Sequence, residues 1–291
     1  MCYNISTETE PEEIMGHRFV FGASEKSGTG TLLHAERHEG CMELLFVRRG
    51  TVTVQTAMCC FSATEGELCF LAPDMVRIVT AEGPIGATVG SIYFDTEFLE
   101  DLPESIDRDL FYMFLMQSRT RENRYTPDAP LYDALVTTFE TCYEEYVTRD
   151  LCYSLRIRAQ IDYMMAQVIA SYSTTRENDR VIYHNVLRLR DSLNYIDTHY
   201  REKMSVPTLA EYLRVTPDYY TKLFRDSIGK TTVDYINSVR INRGMILLLE
   251  ADLPVSEVAE AVGLASGNYF SKLFRTTLGI TPLLFRRENR P

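Results

Sequence analysis

The sequence predicts an α+β protein of two domains, an N-terminal antiparallel barrel or sandwich with trailing helices and a C-terminal all-α domain. Three observations carry this. Short apolar strands recur about every ten residues over 15–100, the apolar period then lengthens to three and four, and the last third contains an internal repeat at an offset of 50.

The strands are expected at His17–Phe21, Gly30–Glu36, Met42–Val47, Thr51–Thr56, Leu68–Ala72 and Thr88–Phe94. Arg48-Arg49-Gly50-Thr51 reads as a hairpin turn between two of them. From about 106 to 172, Leu131, Leu135, Val136, Phe139 and Tyr143, then Leu155, Ile161, Met164, Met165 and Val168, repeat at helical spacing. Two or three amphipathic helices follow from this, and their stripe either packs on the barrel or forms a dimer face. The polar run from Ser173 to Arg180 lacks periodicity, so the linker is placed at 173–182, between a first domain at 1–172 and a second at 183–291.

The second domain is decided by its repeat. Lys222-Leu223-Phe224-Arg225-Asp226-Ser227-Ile228-Gly229-Lys230-Thr231 recurs as Lys272-Leu273-Phe274-Arg275-Thr276-Thr277-Leu278-Gly279-Ile280-Thr281, with six identities in ten. Upstream, Leu209-Ala210-Glu211 parallels Val258-Ala259-Glu260 at an offset of 49, so the second copy has one extra residue in its turn. Each copy reads as a short helix, a tight turn and a longer helix. The longer helices are capped by Thr216, with Pro217 at N1, and by Ser266, and they end at Gly229 and Gly279. These are two helix-turn-helix motifs, and Val233 to Glu250 forms a linker helix between them.

On the longer helices, Tyr220, Leu223 and Phe224, and Phe270, Leu273 and Phe274, form the face expected to be buried. The opposite face carries Asp218, Thr221, Lys222 and Arg225, then Gly267, Asn268, Ser271, Lys272 and Arg275. A major groove can use these side chains: lysine donates to guanine, asparagine pairs with adenine, and aspartate accepts from cytosine. The linker helix, at about 27 Å, approaches the spacing of successive groove faces, so one chain would fill two grooves of double-stranded DNA. Because the two faces differ, the site should be asymmetric.

Charge agrees once it is divided. The whole chain is net −11, but residues 181–291 hold 15 Lys or Arg against 12 Asp or Glu, leaving −14 for the first 180. Seven cysteines without C-x-x-C spacing fit a reducing cytoplasm, and no redox role is assigned to Cys59 and Cys60. The start of the chain lacks the pattern of a standard secretory signal, and no apolar stretch is long enough to span a membrane. A cytoplasmic, nucleoid-associated protein is expected.

Residues 184–287 resemble the AraC/XylS family of bacterial transcription regulators. The resemblance rests on Val262-Gly263-Leu264, Asn268-Tyr269-Phe270-Ser271-Lys272-Leu273-Phe274-Arg275, Gly279-Ile280-Thr281-Pro282 and Phe285-Arg286. Gly244 departs from the alanine usual after the linker-helix arginine, here Arg240, and is expected to cost about 1 kcal/mol and to loosen the coupling of the two lobes. The resemblance implies a cupin-like barrel binding a small-molecule effector, dimerisation through the helices after it, and activation through RNA polymerase. A homodimer is expected.

Glu43, seven residues before Gly50, and Gly66 to Pro73 stand where cupin motifs place barrel corners. Where metal-binding cupins carry histidines, this chain has Glu36, His38 and Arg77, so neither a metal nor another cofactor is expected. Arg77 either attracts an anionic or hydroxylated effector, with His34, His38 and Glu43 as polar contacts, or pairs with a barrel glutamate. Both readings stay open. The competing functions are a cupin-type metalloenzyme with an appended DNA-binding module, which the missing histidines disfavour, and a regulator whose barrel only dimerises. A non-enzymatic regulator is the expectation.

Overall fold

The computed structural model describes residues 12–14, 19–96, 106–172 and 177–289. Two compact units emerge, Met1–Gln55 with Cys59–Thr174, and Thr56–Met58 with Thr175–Pro291.

Among the described residues the first unit holds ten strands: β1 (Glu12–Ile14), β2 (Phe19–Gly28), β3 (Gly30–Glu36), β4 (Cys41–Arg49), β5 (Thr51–Thr56), β6 (Cys60–Thr64), β7 (Leu68–Leu71), β8 (Arg77–Ala81), β9 (Ala87–Asp95) and β10 (Arg124–Tyr125). One sheet has the order β1-β2-β9-β4-β7-β10 and the other β3-β8-β5-β6. Both contribute to one aliphatic core, with Leu45, Val47, Leu71 and Val89 from the first and Leu32, Val52, Val54 and Val79 from the second.

Arg48–Thr51 does not close a hairpin as expected. β4 pairs with β7 and β9, β5 pairs with β6, and the turn carries the chain from one sheet to the other. Gly50 makes this corner possible: at φ 81, a Cβ there would lie 2.5 Å from the Gly86 carbonyl oxygen. His17, the start of the first expected strand, lies outside the described residues. Strands β6 and β8 were not expected. The first, Cys-Phe-Ser-Ala-Thr, has one large apolar side chain, and the second begins with an arginine that is buried, so hydropathy alone marks neither as a strand.

Among the described residues three helices follow, α1 (Ile106–Thr120), α2 (Tyr132–Thr148) and α3 (Tyr153–Ser171). Leu135, Phe139, Cys142 and Tyr146 of α2 and Ile157, Ile161, Met164, Met165 and Val168 of α3 are buried within the unit. Phe139 of α2 meets Phe46, which covers the second face of β4 where alternation was expected, and Phe114 of α1 meets Phe70 of β7. Arg48 fastens α2 to the strands, with two bonds to Glu140, an ion pair to Glu25, and the rings of Phe46, Phe139 and Tyr143 within 5.6 Å.

The second unit is helical: α4 (Glu177–His199), α5 (Val206–Tyr212), α6 (Pro217–Ile228), α7 (Thr232–Glu250), α8 (Val255–Ala261), α9 (Gly267–Leu278) and α10 (Pro282–Asn289). Helix α4 begins inside the stretch 173–182 expected as linker.

The repeat is longer than the motif read from the sequence. Val186, Leu189, Ser192, Leu193 and Ile196 of α4 are buried, and so, at an offset of 52, are Ser238, Ile241, Gly244, Met245 and Leu248 of α7. Tyr220 bonds Ser192 through its hydroxyl, and Phe270, fifty residues on, lies against Gly244. Each helix-turn-helix thus leans on its own supporting helix, giving a duplicated three-helix unit.

Candidate nucleic-acid interface

The longer helices are built as their sequences require. Thr216 and Ser266 accept the amide protons of Tyr219 and Tyr269, and Gly229 and Gly279 close the ends at φ 79 and 77. The preceding turns match as well: Val215 N–H donates to Ala210 O, and Leu264 N–H to Ala259 O. The left-handed position in this turn is Arg214 (φ 53) in the first copy and Gly263 (φ 77) in the second. Arg214 is exposed, whereas chain presses on Gly263, where a Cβ would lie 2.2 Å from the Arg201 carbonyl oxygen.

That loop ties the lobes together. Arg240 on α7 donates to Tyr200 O at 2.7 Å and Glu202 O at 2.8 Å, and burial lowers its pKa from the usual guanidinium range. Gly244 does the reverse of what its helix propensity suggests. A Cβ there would lie 2.6 Å from Phe270 Cε2, so the glycine admits the ring and tightens the contact between α7 and α9.

In α6, Asp218, Thr221, Lys222 and Arg225 are exposed while Tyr220, Leu223 and Phe224 are buried. The Thr221 hydroxyl donates back to Pro217 O at 2.9 Å. In α9, Asn268, Lys272 and Arg275 are exposed, and Ser271 is half-buried. Gly267 is half-buried too, with its Cβ position 3.2 Å from Ser256 Cα, so it serves the close packing of α8 and α9. Leu273 is only half-buried, unlike its counterpart Leu223.

Two tyrosines at matched positions are absent from the residues expected to contact DNA. Tyr219 and Tyr269, in the first turn of each longer helix, are 44% and 47% exposed. Their offset of 50 was the available signal. Arg188 on α4 donates to the Tyr219 hydroxyl at 2.9 Å, with its guanidinium 5.5 Å from the ring centroid.

In the first unit, Glu43 and Arg77 form a fully buried ion pair. Arg77 lies 5.6 Å from the Tyr93 ring centroid, the His38 ring lies 3.9 Å from it, and the Tyr93 hydroxyl meets Ser24 at 3.0 Å. Burial, then Arg77 and Lys26, push the His38 imidazole down to about 3, so it is neutral at pH 7. The cluster is therefore close to electroneutral. His34 lies on β3, but its side chain is outside the described residues, as is that of Glu36. Among the described residues no three His, Cys, Asp or Glu side chains gather as metal ligands. No helix among them is long and apolar enough to cross a membrane.

Residues 209–288 match a model of the helix-turn-helix domain. The HTH-type transcriptional regulator YisR of Bacillus subtilis, itself uncharacterised, is 22% identical over 268 residues, 87% of this chain and 88% of its own length. The bifunctional transcriptional activator and DNA repair enzyme AdaA of the same organism is 31% identical over 96 residues, and only 46% of its length is covered. The crystal structure of ToxT from Vibrio cholerae matches with a TM-score of 0.53 at 15% identity, over 92% of this chain and 98% of that one, which shows a shared two-domain fold. Another ToxT structure holds an unsaturated fatty acid.

Proposed function

We infer that this chain, a DNA-binding transcription regulator whose C-terminal unit is of the AraC type, reads an asymmetric promoter site as a homodimer under the control of a small molecule. One observation carries the reading: two copies of a three-helix unit each present a polar, cation-bearing helix face at matched positions. Arg225 and Arg275 suit phosphates, while Asn268 and Lys272 suit base edges. Activation through RNA polymerase and a cytoplasmic, nucleoid-associated location belong to the same proposal.

The direct test is a gel shift on DNA from the gene's own upstream region, across a salt series. Binding should weaken steeply as salt rises, because neutralised phosphates release counterions. Salt-independent binding, or none, would refute the reading.

For the first unit, two readings are kept apart by thermal shift against fatty acids, sugars and aromatic acids. A raised melting temperature identifies a sensory barrel. The fatty acid held by ToxT supports including that class. Failure of every compound favours a barrel that only dimerises, a reading supported by its aliphatic filling and by the Glu43–Arg77 pair, which takes up the arginine's charge.

A further inference from the structure

Arg188 and Arg240 occupy equivalent places in the duplicated unit, four residues before Ser192 and Gly244, yet their surroundings differ. Arg240 is half-buried and spends its donors on the carbonyls of Tyr200 and Glu202. Arg188 is exposed, and among the described residues no carboxylate pairs with it. Its guanidinium is held over the Tyr219 ring by the bond to the phenol oxygen.

We propose that Arg188, positioned by Tyr219, contacts a DNA backbone phosphate beside the first recognition helix. The inference rests on the regulator reading. Tyr219 lies in the N-terminal turn of α6, the end of a recognition helix that enters the major groove and is flanked by phosphates. One Arg188 nitrogen donates to the phenol, which leaves the rest of a planar donor fork for an anion, in a geometry already restricted before binding.

Charge gives a second reason. The exposed face of α6 offsets Lys222 and Arg225 with Asp218 and Asp226, whereas α9 exposes Lys272 and Arg275 with no acid. The first motif thus has almost no net attraction of its own for the backbone. A cation supplied from α4 restores it.

The test is fluorescence anisotropy of the full-length protein on a short random-sequence duplex over a salt series, with melting temperatures recorded alongside. Arg188→Gln, which keeps a stem on the Tyr219 ring, should weaken binding roughly eightfold at 0.1 M salt, the counterion-release value for one phosphate contact, and reduce the salt slope by about 1. Arg188→Lys should recover the slope, and Tyr219→Phe should weaken binding while leaving the slope unchanged. A lower melting temperature with an unaltered slope would make the pair a packing contact and overturn the proposal. Salt-dependent binding by the wild type with Arg188→Gln indistinguishable from it overturns this contact alone. No salt-dependent binding by the wild type overturns the regulator reading together with it.

Discussion

Gly244 lies directly under the Phe270 ring, so close that a Cβ would stand 2.6 Å from Cε2 and 2.8 Å from Cζ. The residue that looks like a weak point in the linker helix is where the second recognition helix is seated. Gly244→Ala gains about 1 kcal/mol of helix propensity but displaces a fully buried ring, an overpacking cost of about 1–3 kcal/mol. The expected result in urea unfolding is a net loss of about 1 kcal/mol. A gain in stability would show that the ring moves aside freely.

Arg214 and Gly263 hold the same left-handed turn position under different constraints. Gly263→Ala forces a methyl into the Arg201 carbonyl and should cost at least about 2 kcal/mol. Arg214→Gly relieves left-handed strain of about 1–2 kcal/mol against the extra freedom of an unfolded glycine, so stability should stay level or rise slightly. Equal losses in the two variants would contradict this difference.

Recognition should divide by residue. Asn268→Ala and Lys272→Ala are expected to cost about 1–3 kcal/mol on the preferred site and to relax sequence preference. Arg275→Ala should weaken binding to all DNA alike and lower the salt slope by about 1. Titrations on selected and random duplexes separate these, and unchanged affinity of Lys272→Ala for the selected site would remove it from the groove.

His38 predicts an acid-sensitive first unit. Its pKa falls from 6.5 to about 3 on folding, so below pH 6.5 the unfolded chain binds a proton that the folded one refuses. Stability is intact above about pH 6.5 and declines as pH falls toward 3, at up to about 1.4 kcal/mol per unit. The charged neighbours are Arg77 and Lys26, with Glu43 paired to Arg77. Denaturant unfolding at pH 7 and pH 5 should show a smaller difference in His38→Asn than in the wild type. An identical difference would place the acid sensitivity elsewhere.

The sequence by itself determined the two helix-turn-helix motifs down to their caps at Thr216, Ser266, Gly229 and Gly279. Capping, helical period and turn geometry are local, and a repeat states each of them twice. It also determined the class of the first unit, the exposed face of α6, and the exposure of Asn268, Lys272 and Arg275 on α9, whereas Gly267, Ser271 and Leu273 are half-buried through packing. Only the tertiary structure decided that Gly50 turns a corner between sheets, that Glu43 meets Arg77, that Phe270 rests on Gly244, and that Arg188 reaches Tyr219 while Arg240 braces the lobes. These pairs join residues 26 to 40 positions apart, and whether a charge or a missing side chain weakens or secures a site depends on what packing brings against it. No local pattern carries that information.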